Sequence, residues 1–103
     1  MKNDYTVIVL LESKPGLENE LKQALIKVAN KSREETTCIE YHLHQDLENK
    51  AKFGLYEKWK CQEDHQKQFS KPYIQEFADK AGDLLAKPYE GLFGVELCSR
   101  IPS

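Results

Sequence analysis

Glu57 is the residue of this chain best placed for chemistry. The run Phe53-Gly-Leu-Tyr-Glu57-Lys-Trp59 alternates so that Glu57 shares an otherwise apolar strand face with Leu55 and Trp59. A carboxylate there costs several kcal/mol unless it is partnered. It can act as an acid or base, or orient a histidine; it can also be balanced by a helix lysine or a helix N-terminus. His65 lies six residues beyond Trp59, at the start of a helical segment that can bring it back over the sheet toward Glu57. A near-neutral base suits abstraction of a proton from a phenol, and the plain alternative is a half-exposed surface histidine. In this arrangement Glu57 orients His65 and raises its pKa by favouring the protonated ring. Tyr41 and Trp59, adjacent on the same face, and Phe69 and Tyr73, from the helical segment, are candidate walls of an aromatic substrate pocket; core packing is the simpler alternative. His42 and Tyr56 fall opposite each other on the second face and read as interface residues.

Other chemistries have less support. Cys38, Cys61 and Cys98 form no C-x-x-C pair, and their odd number argues against a disulfide framework, so they read as small buried or half-buried thiols. His42 and His44 alternate on a strand and His65 stands alone, which is poor spacing for a metal. No motif identifies a nucleotide, flavin, haem or metal site, and the expected cofactor is none. Lys and Arg total 15 against 17 Asp and Glu, a net charge of −2, which disfavours nucleic acid and anionic membranes as partners. The longest apolar run, Val7 to Leu11, is far short of the roughly 20 residues that span a bilayer, and no secretion-type leader pattern opens the chain. A cytoplasmic location is expected.

The elements that must position these residues follow from periodicity. At 103 residues and 40% hydrophobic content, one domain over 1–103 is expected. Tyr5 to Leu11 is β-rich and nearly continuously apolar, the pattern of a central strand covered on both faces. Lys14-Pro15-Gly16 breaks it, and Leu17, Leu21, Ala24, Leu25 and Val28 mark an amphipathic helix to about Ser32. Residues 37–46 alternate, with Ile39, Tyr41 and Leu43 on one face, and 52–60 form a second strand. Pairing residues whose numbers sum to 98 sets Glu40 opposite Lys58 and Asp46 opposite Lys52, both opposite-charge pairs. After Cys61 comes a short helical turn with Asp64, His65 and Phe69, then a break at Ser70-Lys71-Pro72. A second helix with the stripe Ile74, Phe77, Ala78, Ala81, Leu84 and Leu85 ends at Lys87-Pro88, and Tyr89 to Cys98 alternates as a last strand. The order β-α-β-β-α-β with right-handed crossovers predicts a ferredoxin-like α+β fold, a four-stranded antiparallel sheet with helices on one face.

Taken in order, Lys14-Pro15-Gly16 with its Leu-rich helix, Arg33-Glu-Glu-Thr-Thr-Cys38-Ile-Glu-Tyr41, Phe53-Gly-Leu-Tyr-Glu57-Lys-Trp59, His65 and Ser70-Lys-Pro-Tyr73 resemble the antibiotic biosynthesis monooxygenase family, in its quinol monooxygenase-like form, over residues 5–98. The resemblance implies a homodimer, a dimeric α+β barrel in which two sheets pack together, with a small pocket between sheet and helices in each subunit. It also implies cofactor-independent oxygenation of a small quinol or aromatic substrate with O2. His65 is then the base, Glu57 its orienter, and Tyr41, Trp59, Phe69 and Tyr73 the walls. Two departures stand out: Thr37 where such sequences often carry Gly, and Tyr73 where many carry a second His. The related haem-degrading branch uses a first-strand Asn, whereas strand one offers Val7 and Val9 here.

Two other functions fit the same fold. An isomerase of a small phosphorylated metabolite, of the autoinducer-processing type, would need a phosphate-holding cluster, and both arginines, Arg33 and Arg100, lie outside the pocket segments. A non-enzymatic dimeric binding or stress module would leave Glu57 structural.

Overall fold

The computed structural model describes residues 4–98; Arg100 lies outside them. Strand β1 (Tyr5–Glu12) is followed by helix α1 (Glu18–Ser32), strands β2 (Cys38–Gln45) and β3 (Lys52–Trp59), helix α2 (Gln62–Lys67), a single 3-10 turn at Gln68–Ser70, helix α3 (Pro72–Leu84) and strand β4 (Glu90–Val95). The sheet order is β2-β3-β1-β4 with every pairing antiparallel, the expected ferredoxin-like α+β arrangement.

β1 is central because it pairs on both edges, with β3 and with β4. Its nearly continuous apolar run nevertheless has two environments. Val7, Val9 and Leu11 are buried under the helices, whereas Ile8 and Leu10 stand on the open face, which nothing among the described residues covers. The chain leaves β1 through Pro15-Gly16, where Gly16 takes φ 85°, a left-handed conformation that glycine adopts without a Cβ penalty. Glu18 and Glu20 in the first turn of α1 and Lys31 in the last complement the helix dipole. Leu21, Leu25, Val28, Ala29 and Ser32 form its buried stripe.

The β2–β3 hairpin has the register set by its charges: Glu40 pairs with Lys58, Tyr41 with Glu57, His42 with Tyr56 and Leu43 with Leu55. Its turn is held by Asp46, whose carboxylate accepts the Glu48 and Asn49 amides at 3.0 and 2.8 Å. Those backbone bonds hold the Asp46 carboxyl below its ordinary pKa. One expectation fails at the start of β2. A bulge between Cys38 and Glu40 sets Cys38, not Ile39, opposite Trp59. Ile39 is consequently turned outward and 45% exposed, while Cys38 packs against the core.

Helix α3 stops at Leu84, three residues before Lys87, and Leu85 makes an isolated bridge to Ser13. Its apolar stripe faces the sheet, yet no residue of α3 is fully buried. The helix stands off from the sheet and roofs a cavity. β4 is shorter than its alternation suggests, ending at Val95 and leaving Leu97 exposed.

Candidate functional site

The space under α3 is a cavity of about 360 Å³. Val7, Val9, Leu11 and Leu55 of the sheet make its apolar floor, Leu25 and Val28 of α1 one wall, and Ile74, Phe77, Ala78 and Ala81 of α3 its roof. Phe69, Tyr89 and Phe93, each about half exposed, stand around the mouth. The polar groups in the lining are Tyr41, Glu57, His65, Gln68 and Tyr89. The fold brings Glu57 and His65 together there. β3 carries Glu57 on its inward face, and only Lys60 and Cys61 separate the end of β3 from the start of α2, so the first full turn of α2 lays His65 back over the sheet.

The Glu57 Oε1 to His65 Nε2 distance is 3.7 Å, and the two residues are 3% and 4% exposed. That separation is an electrostatic contact, longer than a hydrogen bond. Glu57 Oε1 instead accepts a 2.9 Å hydrogen bond from Trp59 Nε1. Rings enclose His65: Phe69 packs edge-on at 5.0 Å between centroids, with Tyr5 and Trp59 each at 5.5 Å and Phe93 at 6.1 Å. Burial pushes the Glu57 carboxyl up to about 7, although hydrogen bonds from Trp59 and Tyr41 pull the other way. Burial also holds His65 below its ordinary value. The expected rise of the His65 pKa is therefore corrected. Loss of water disfavours the imidazolium, and a carboxyl that is itself partly protonated near neutrality, at 3.7 Å, does not compensate. At neutral pH the site presents an unprotonated imidazole beside a carboxyl poised to hold or release a proton.

Of the other candidate residues, Tyr41 and Phe69 line the cavity, and Trp59 and Tyr73 do not. Trp59 lies behind Glu57 with its indole N–H spent on the carboxylate. Tyr73 is turned toward the start of β2, where its hydroxyl donates to Glu35 Oε2 at 3.1 Å and accepts from Gln68 Nε2 at 3.1 Å. Gln68 and Phe93 are lining residues that were not singled out from the sequence. Gln68 was findable, because it lies three residues after His65 and shares its helical face. Phe93 needed the β1–β4 register, which sets it opposite Val7. His42 and Tyr56 stack on the open face, ring centroids 6.0 Å apart and planes within 8°. The thiol of Cys38 is raised to about 11, first by burial and then by Glu57 and Glu35. Among the described residues no group of three or more His, Cys, Asp or Glu is placed to hold a metal ion, and no helix is long and apolar enough to cross a membrane.

A four-stranded antiparallel sheet with helices on one face, enclosing an apolar cavity that carries a buried carboxyl and imidazole, defines a ferredoxin-like α+β domain built around a small-molecule-sized space. The family model for antibiotic biosynthesis monooxygenases matches residues 4–80, and the chain belongs to that family. Solved structures share the fold at low identity. PA3566 from Pseudomonas aeruginosa aligns with TM-score 0.89 and 23% identity over 95% of this chain and 98% of its own. Rv0793 from Mycobacterium tuberculosis aligns with TM-score 0.87 and 18% identity over 95% and 99%. In sequence, the protein sll1783 from Synechocystis sp. is 39% identical over 59 residues, spanning 57% of this chain and 40% of that protein.

Proposed function

We propose that the protein is a cofactor-independent monooxygenase that oxidises a small quinol or phenolic substrate with O2. The observation carrying this reading is the Glu57–His65 pair, sealed from solvent at the edge of a cavity whose other walls are almost wholly apolar. Oxygenation without a flavin or metal requires a substrate anion able to give an electron to O2, so the protein has to deprotonate, orient and exclude water. An unprotonated His65 takes the phenolic proton, and Glu57 beside it favours the imidazolium as it forms. One oxygen atom enters the ring of a quinol, the other leaves as water, and the product is a hydroxylated quinone. Tyr41 and Phe69 supply aromatic surface against the substrate ring. The cavity lining contains no Lys or Arg, which leaves a phosphorylated substrate without a counter-charge. Oxygen uptake with a panel of reduced quinones, assayed on protein checked for bound flavin, haem and metal, tests the reading. Uptake well above autoxidation with metal-free, flavin-free protein is the expected result, and uptake at the autoxidation rate across the panel overturns it.

The proposed working unit is a homodimer closed through the open sheet face. Ile8, Leu10 and Leu92 are exposed on that face beside the His42–Tyr56 stack, and a patch of this kind is covered in most soluble proteins. Sedimentation at micromolar concentration should give twice the 11.9 kDa chain mass. A species of chain mass would rule the dimer out.

A further inference from the structure

Gln68 lines the cavity and is only 3% exposed, yet the proposed proton transfer gives it no task. A carboxamide beside so apolar a space needs its polar atoms matched. Its nitrogen is matched away from the cavity. Nε2 donates to Ser32 Oγ at 2.7 Å and to Tyr73 Oη at 3.1 Å, and neither Ser32 nor Tyr73 is a lining residue. The direction of the amide is set one bond further out. Tyr73 has a single hydroxyl proton and gives it to Glu35 Oε2 at 3.1 Å, and Glu35, paired with Lys71 at 3.5 Å, is an acceptor. Tyr73 Oη therefore has only lone pairs to turn toward Gln68, and a reversed amide would set Oε1 against them. Both amide protons are spent, and Oε1 is left over.

Among the described residues none donates a hydrogen bond to Gln68 Oε1. The oxygen is not sealed in either, since the buried side-chain polar atoms without a partner among those residues are Thr6 Oγ1 and Ser13 Oγ. Oε1 therefore has open space beside it, and the space that Gln68 borders is the cavity. We infer that Gln68 Oε1 accepts a hydrogen bond from a second substrate hydroxyl, and that this contact selects a quinol over a monophenol. His65 and Gln68 lie three residues apart on one helical face, which sets their Cβ atoms about 5–6 Å apart. Hydroxyls at opposite ends of one aromatic ring can thus meet both. The contact is selective because Oε1 has no proton to give. A methyl group in that place leaves it unpaired, and a quinone carbonyl sets lone pair against lone pair, so the reduced ring is held in preference to the oxidised one. Tyr73 and Ser32 do not touch the substrate; they are positioning residues that keep the amide turned this way.

This role of Gln68 rests on the reading of the cavity as a phenol site, and binding measured without O2 tests it apart from turnover. Anaerobic calorimetry compares hydroquinone with 4-methylphenol, which carries a methyl group where hydroquinone has its second hydroxyl. An apolar cavity favours the methyl over an unmatched hydroxyl, so the quantity to read is the ratio of the two affinities in each protein. Gln68→Met keeps the length of the side chain and removes the acceptor. It should move the ratio about tenfold or more against hydroquinone, the cost of leaving one buried hydroxyl unmatched, with the affinity for 4-methylphenol little changed. Tyr73→Phe leaves Gln68 in place and removes the hydroxyl that fixes its direction, so the ratio should move the same way by less. A merely structural role for Gln68 would weaken both phenols alike. An unchanged ratio in the folded variants, or no binding of hydroquinone to the wild type, overturns the assignment. A shifted ratio with no oxygen uptake in the quinol assay leaves the acceptor standing and removes the oxygenase; uptake with an unshifted ratio does the reverse.

Discussion

Replacing His65 with alanine is expected to lower turnover of a responsive quinol by roughly 10²-fold to 10⁴-fold, the usual worth of a positioned general base. The substrate anion is the species that reacts with O2, and within the cavity His65 is the unprotonated imidazole available to generate it. Because His65 packs against four aromatic rings, alanine also leaves a void. His65→Phe fills that space without a base and should be comparably slow. Glu57 acts through His65, so Glu57→Ala combined with His65→Ala should cost little more than His65→Ala alone. The comparison is made in kcat/KM on variants shown to be folded and of wild-type oligomeric state. Multiplying losses, or near-normal turnover by His65→Phe, would mean that His65 is not the base, and the open-face pair His42 and Tyr56 would be the next place to look.

The second large effect is on stability. The Glu57 carboxyl moves from its ordinary 4.5 to about 7 on folding, which corresponds to roughly 3 kcal/mol. Raised in the folded state, it contributes stability that is fully present below pH 4.5 and lost as the pH rises through about 7. His65 has the opposite sign. Lowered in the folded state, it contributes stability that is present above its ordinary 6.5 and lost as the pH falls. The two trends partly cancel in the window they share, so the wild-type curve alone hides them. Urea midpoints for wild type and Glu57→Gln from about pH 4 to about pH 8 separate them. The stability of wild type relative to the variant should fall by about 3 kcal/mol across that range. Parallel curves would mean that Glu57 ionises as freely in the folded chain as in the unfolded one.

Both predictions concern groups that were visible in the sequence, but what was visible was their place on an element, not their surroundings. The alternation of β3 put Glu57 on an apolar face, and the Glu40–Lys58 pairing aligned β2 so that Tyr41 falls opposite it. Strand alternation and cross-strand charge are local, short-range effects that the amino-acid types carry with them. The helix from about Leu17 to Ser32, the break before Pro72 and the order of elements were legible for the same reason.

Tertiary structure alone decided the rest. A one-residue bulge turned Ile39 outward, and no residue type near Cys38 announces it. α3 stands away from the sheet, so a stripe that reads as core is the roof of a cavity. Trp59 and Tyr73 have the chemistry of pocket walls, yet the packing of α1, β2 and α2 places one behind Glu57 and the other in the chain from Gln68 to Glu35. The direction of the His65 shift was likewise beyond the sequence. Residue types name the charges, but how far water is excluded from them, and whether they stand at 3.7 Å or within a hydrogen bond, depends on segments far apart in the chain closing over the same space. The ferredoxin-like plan and the candidate pair were set by local pattern; the cavity and the protonation of the site were set by packing.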